Sequence, residues 1–168
     1  MEKFLSIPVF KLLANGTTTA GTANKLTDSS ATFVTNNVQV GDIVHNSTDN
    51  TYTTVTAVDS ETVLSVGTTV PTSKAYFIHS DTLSNNQLVS CGNIGLIEQA
   101  STSTVTITYD DVAAVDVVTL VHTPVAAGSE YVRDQIEDFV VTALQTHWKD
   151  VAHDITIDPF RVIGISIG

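Results

Sequence analysis

The sequence predicts an α+β fold, mostly β, in which a sheet covered by one amphipathic helix carries an inserted small all-β barrel-like module. Three observations lead there. Thr and Val make up about three residues in ten of the 168, and β-branched side chains suit a pleated, half-buried surface. Short apolar runs recur between Asn, Asp and Gly turns across the middle of the chain. Only one segment, near the C-terminal third, repeats its apolar residues at helical spacing.

The elements follow in chain order. Residues 1–24 hold an apolar strand-like run, Phe4 to Leu13, and then a tract of small polar residues from Asn15 through Gly16 and Gly21 to Thr22, expected to be a linker or loop. Residues 25–82 read as a module of short strands: Asp42–Asn46 after Gly41, Thr51–Val58 after an Asn/Asp turn, Thr62–Val66, and Ala75–His79. In the second of these, Tyr52, Thr54, Thr56 and Val58 alternate with Thr51, Thr53, Val55 and Ala57, as two faces of a strand require.

Residues 83–168 read as α+β. Polar Leu83–Gln87 is expected to be loop, followed by strands over Ile94–Glu98, Thr104–Tyr109 and Val115–His122, the last two as a hairpin. A helix is expected with Gly128 or Ser129 as N-cap and Lys149 at its far end. Its stripe is Val132, Ile136, Phe139, Val140, Ala143, Leu144 and His147, with acidic residues gathered in its first half, where the helix dipole favours them. Strands over Asp154–Asp158 and Val162–Gly168 flank a turn at Pro159. The N-terminal strand has no partner until after residue 83, so residues 1–24 plus 83–168 are expected to form one discontinuous domain, with 25–82 inserted at a loop tip.

Charge narrows the function. Seven Lys plus Arg against eighteen Asp plus Glu give a net charge of −11, and only 15% of residues are charged, against roughly 25% in ordinary domains. Such a chain has no basic stripe for phosphates and no polybasic contact for anionic lipid, so neither nucleic acid nor membrane is an expected partner. The single cysteine, Cys91, has no cation close in sequence to activate it and reads as a small buried hydrophobe.

Sites for chemistry do not assemble. There is no G-x-S-x-G elbow. His45 and His79 read as neutral, hydrogen-bonded residues at strand ends. His147, His153, Asp154 and Asp158 are the nearest approach to a metal cluster but lack a ligand spacing. Asp110, Asp111 and Asp116 lack a calcium-loop pattern, and Gly92-Asn93-Ile94-Gly95 reads as a strand-edge bend. Trp148 reads as completing a core. No catalytic residue, metal or cofactor is expected. A ligand-binding module would need a concave aromatic pocket, for which Phe33, Tyr52, Tyr76 and Phe77 are the candidates.

Two stretches carry a resemblance. The run from Asp28-Ser29-Ser30-Ala31-Thr32-Phe33 through Val38-Gln39-Val40-Gly41-Asp42-Ile43-Val44-His45-Asn46-Ser47-Thr48-Asp49, with the turn Val55–Ser60, resembles a small β-module recurrent in tailed-phage virion proteins. Met1–Val9, Gln87–Ser90, Leu96–Ser101 and the helix-to-C-terminus segment are similar to small structural proteins of marine cyanophages. The resemblance implies a non-enzymatic virion component made in the host cytoplasm. Foremost is a homo-oligomeric capsid decoration (cement) protein, with the major capsid protein or other virion proteins as partners. A tail, neck or baseplate adaptor and a soluble ligand- or glycan-binding module are the alternatives. The docking residues expected in that role are Phe4, Leu5, Ile7, Val9 and Phe10.

Overall fold

The computed structural model describes residues 2–110, 116–147 and 149–168. Its class is α+β, mostly β, with one helix packed on a mixed sheet. The chain divides into two compact units, one formed by Met1–Val9 with Ser84–Gly168, the other by Phe10–Leu83. The division falls at Val9/Phe10, so Phe10–Asn24 goes with the middle unit. The reason is local: the tract expected to be a linker is strand β1 (Phe4–Thr17) up to Thr17. Beyond it, Thr18 N–H donates to Lys74 O at 2.9 Å and Thr19 N–H to Thr27 O at 2.7 Å, so the small polar residues are bound into the module.

In the middle unit, β2 (Lys25–Thr27), β5 (Val63–Val66), β4 (Thr51–Val58), β3 (Ile43–Asn46) and β6 (Ala75–Ser90) pair in that order, all antiparallel among the first four and between β3 and β6. β1 follows β6, and an isolated bridge from Ala20 to Thr27 of β2 brings the sheet back on itself. That gives a barrel-like ring. Its interior is filled by Leu26, Phe33, Val38, Val44, Val55, Leu64, Val66, Tyr76 and Ile78. In β4 only Val55 is buried, and the register slips between Val55 and Ala57, which breaks the expected two-face alternation there.

In the other unit the order is β1, β11 (Val162–Ile167), β9 (Val117–His122), β8 (Thr104–Tyr109), β7 (Ile94–Ser101), with β10 (Ala152–Asp154) also on β1. β10 and β11 run parallel to β1, and the rest are antiparallel. Helix α1 (Tyr131–Gln145) lies against this sheet through Val132, Ile136, Val140 and Ala143. Three expectations need correction here. Leu83–Gln87 is strand, because β6 runs on to Ser90 with its polar residues exposed. The strand expected over Asp154–Asp158 is shifted to Ala152–Asp154, ahead of a cis Asp158–Pro159 bond. The helix starts at Tyr131, two residues past Ser129, and stops at Gln145, short of Lys149. Glu130 is its N-cap without a side-chain cap bond, and Thr146 turns extended. The expected features on Asp111, Val115 and Trp148 lie outside the described residues.

Candidate functional site: an open apolar groove beside an edge strand

The five residues expected to dock belong to a core strand over most of their length. Leu5 and Ile7 have no accessible surface, so neither side chain is available to a partner. The strand's backbone is also engaged, with β10 along Phe4–Ser6 and β11 at Val9. Phe4 and Val9 are half-buried, and Val9 packs on the core of its unit. Phe10 lies in the middle unit, its ring 5.9 Å from that of His79.

The open apolar surface lies elsewhere in the same unit. β7 ends the strand order, so among the described residues one of its long sides has no strand beside it. Its register slips between Ile94 and Leu96, and that bulge lets Ile94 and Ile97 both turn toward the helix although they are three positions apart in the strand. Helix α1 presents more apolar width than the sheet covers. Val140 is buried at its foot, but Val141 and Leu144 remain 52% and 55% exposed. Together with Cys91, Asn93 and Glu137 these residues line a groove of about 480 Å³. Cys91 is buried there, and burial pushes its thiol pKa up, so it is an inert part of the wall. Glu137 is the one charged group in the lining, held loosely by Arg133 Nε at 3.7 Å. Chemically the groove can accept apolar side chains and one cation.

The helix beside it is fixed by long-range contacts. Gln99 of β7 accepts the Arg133 N–H on Oε1 at 3.3 Å, and its amide nitrogen donates to Ser101 O at 2.7 Å and to His122 Nε2 at 2.8 Å. His122 donates from Nδ1 to Thr123 O at 2.8 Å, which fixes its neutral tautomer, and burial lowers its pKa. Tyr109 donates to Ser90 O at 2.7 Å, and burial pushes its pKa up to about 12.

The other candidates from the sequence are placed separately. His45 is fully buried in the middle unit, stacked on Tyr52 with ring centroids 4.3 Å apart and Nε2 3.2 Å from Asn50 Oδ1. His79, expected at a strand end, is buried inside β6 because that strand continues past it. Of the aromatic residues that a ligand-binding module would need around a concave pocket, Phe33 and Tyr76 are core residues and Tyr52 is stacked on His45. Among the described residues no three His, Cys, Asp or Glu side chains come together as a metal set, and His153 instead lies with its ring 6.3 Å from Phe139. Asn93 takes a left-handed φ of 56°, which makes the bend ahead of β7. No helix among the described residues is long and apolar enough to cross a membrane. No family model, curated protein or solved structure matches the chain.

Proposed function

We propose that this chain is a non-enzymatic assembly component of a tailed-phage particle, acting as a capsid decoration protein that docks on the major capsid protein. The observation that supports an assembly role is the apolar groove between α1 and the edge strand β7, where Val141 and Leu144 stand exposed over Ile94 and Ile97. Exposed apolar patches of this kind mark contact surfaces. The motif resemblance along Asp28–Ser60 supports a virion setting.

The groove's chemistry supports one kind of occupant. An extended apolar segment laid along β7 adds a strand to the open edge and places side chains between Ile97 and Leu144. A Lys or Arg on that segment meets Glu137. A second copy laid in this groove would bring a net charge of −11 against the same sign, so the occupant is a basic-flanked segment of the coat protein.

Mass spectrometry of purified particles with stoichiometry tests the reading. Copies on the order of hundreds per particle fit a closed capsid lattice, whereas about a dozen fit a tail or neck ring and would favour an adaptor role. Absence from the particle overturns both.

A further inference from the structure

We infer that the seam of the barrel-like unit is a binding site for a neutral sugar residue, a ligand class independent of the assembly role proposed above. Among the described residues, the ring of strands closes between β1 and β2 through one isolated bridge, Ala20 to Thr27, with the Thr19 N–H to Thr27 O bond beside it. Along Leu13–Thr17, among the described residues, no strand pairs with the side of β1 away from β6. A cavity of about 480 Å³ opens between that stretch and the loop after β2, a volume in the range of small-ligand sites.

What lines this cavity decides the ligand. Asp28 is only 5% exposed and carries the one charge in the lining. Tyr76 Oη donates to its Oδ2 at 2.8 Å and Ser30 N–H to its Oδ1 at 2.9 Å. A carboxylate has about four acceptor sites, so capacity is left for hydroxyl donors. No ion pair with Asp28 forms among the described residues. The rim is neutral and both donates and accepts, through Asn15, Thr17, Ser30, Thr32 and Asn36.

Anions are repelled by Asp28 and by the net charge of −11. A peptide strand added to β1 would need apolar pockets for alternate side chains, and here the apolar Leu13, Ala14 and Ala31 are outnumbered by hydroxyl and amide side chains. A polyol, whose hydroxyls each donate and accept, matches them. The ring faces of Tyr76 and Phe33 are buried, so recognition is by hydrogen bonds without stacking.

The test is amide NMR of the full-length chain with methyl α-glucoside, methyl β-galactoside and methyl N-acetyl-β-glucosaminide at millimolar concentration. At least one is expected to shift amides confined to residues 13–19 and 28–36. Asp28→Asn, which keeps the shape and the Tyr76 contact, is expected to weaken binding about tenfold. Should that variant fail to fold, the exposed pair Asn15→Ala with Thr17→Ala, which leaves the core untouched, is expected to weaken binding severalfold. Three sugars without effect, shifts centred elsewhere, or shifts with an alternating Val/Thr hexapeptide alone would overturn the assignment. These outcomes are separate from the presence or copy number of the chain in particles.

Discussion

The ammonium of Lys3 donates to the backbone oxygen of His147 at 2.7 Å, so a residue near the start of the chain closes the C-terminal end of helix α1. The same nitrogen reaches Thr146 Oγ1 at 3.2 Å and the backbone oxygen of Asp150. α1 has no basic residue in its last turn, where its terminal carbonyls and the negative pole of the dipole lie. Lys3, only 7% exposed, supplies the charge from outside the helix. Lys3→Met keeps the stem but removes the donors, and is expected to cost about 1–3 kcal/mol in urea unfolding. Hydrogen exchange should quicken at residues 143–147 first.

The other end of the helix is held in the same way. With no side-chain bond from Glu130, the Arg133 N–H is taken by Gln99 Oε1 from β7. Gln99→Ala removes that acceptor together with the donors to Ser101 O and His122 Nε2. A loss of about 1–3 kcal/mol is expected, because buried His122 is left with an unmatched nitrogen. Faster exchange of the Arg133 amide would separate this from a general loosening of the hairpin.

These two contacts mark the limit of what the sequence discloses. Turns built on Asn and Gly, such as the left-handed Asn50 before β4, are local, and the short strands between them are legible residue by residue. The buried stripe Val132, Ile136, Val140, Ala143 is legible for the same reason. Helix ends capped from residues 34 and 143 positions away leave no local mark. The second half of β6 is hidden too. From Asp81 to Leu88 every residue is exposed, so no alternation distinguishes strand from loop. The groove was half legible: Leu144 continues the apolar stripe, but helical period cannot say how much of that stripe the sheet covers.

Acid sensitivity follows from His45. Burial chiefly lowers its pKa from 6.5 to about 4, with the nearby His79 acting in the same direction. The unfolded chain therefore takes up the proton first as pH falls. Stability is unaffected by this group well above pH 6.5 and declines from there toward pH 4. The decline is expected to reach about 2 kcal/mol by a pH of about 5. His122, also lowered by burial, adds to it with the same sign. Urea midpoints for wild type and His45→Gln should converge as pH drops; parallel curves would exclude His45 as the cause.

The groove is open to a cleaner test than the core. Val141 and Leu144 are more than half exposed, so Val141→Asp and Leu144→Asp are expected to change unfolding free energy by about 0.5 kcal/mol or less. Both add a charge to an apolar contact surface. Incorporation into particles, measured against wild type in a mixed assembly, should fall sharply for each. Glu137→Lys should also reduce it, by reversing the one charge in the lining.

Two glycines make matching demands that differ in what can yield. A Cβ on Gly16 would fall inside contact distance of Asp28 Oδ2 and lie 2.9 Å from Tyr76 Oη. Both groups are buried and bonded to each other, so neither can retreat without breaking the pair. A Cβ on Gly95 would crowd the carboxylate of Asp110 as closely, but Asp110 is exposed and its side chain is free to swing into water. Gly16→Ala is therefore expected to cost about 1–3 kcal/mol, and Gly95→Ala clearly less. Thermal unfolding of the two variants side by side checks the order, and tyrosine fluorescence of Gly16→Ala should report the displaced Tyr76. Equal costs would mean that Asp28 and Tyr76 yield as readily as a surface carboxylate, and that the floor of the barrel seam is soft.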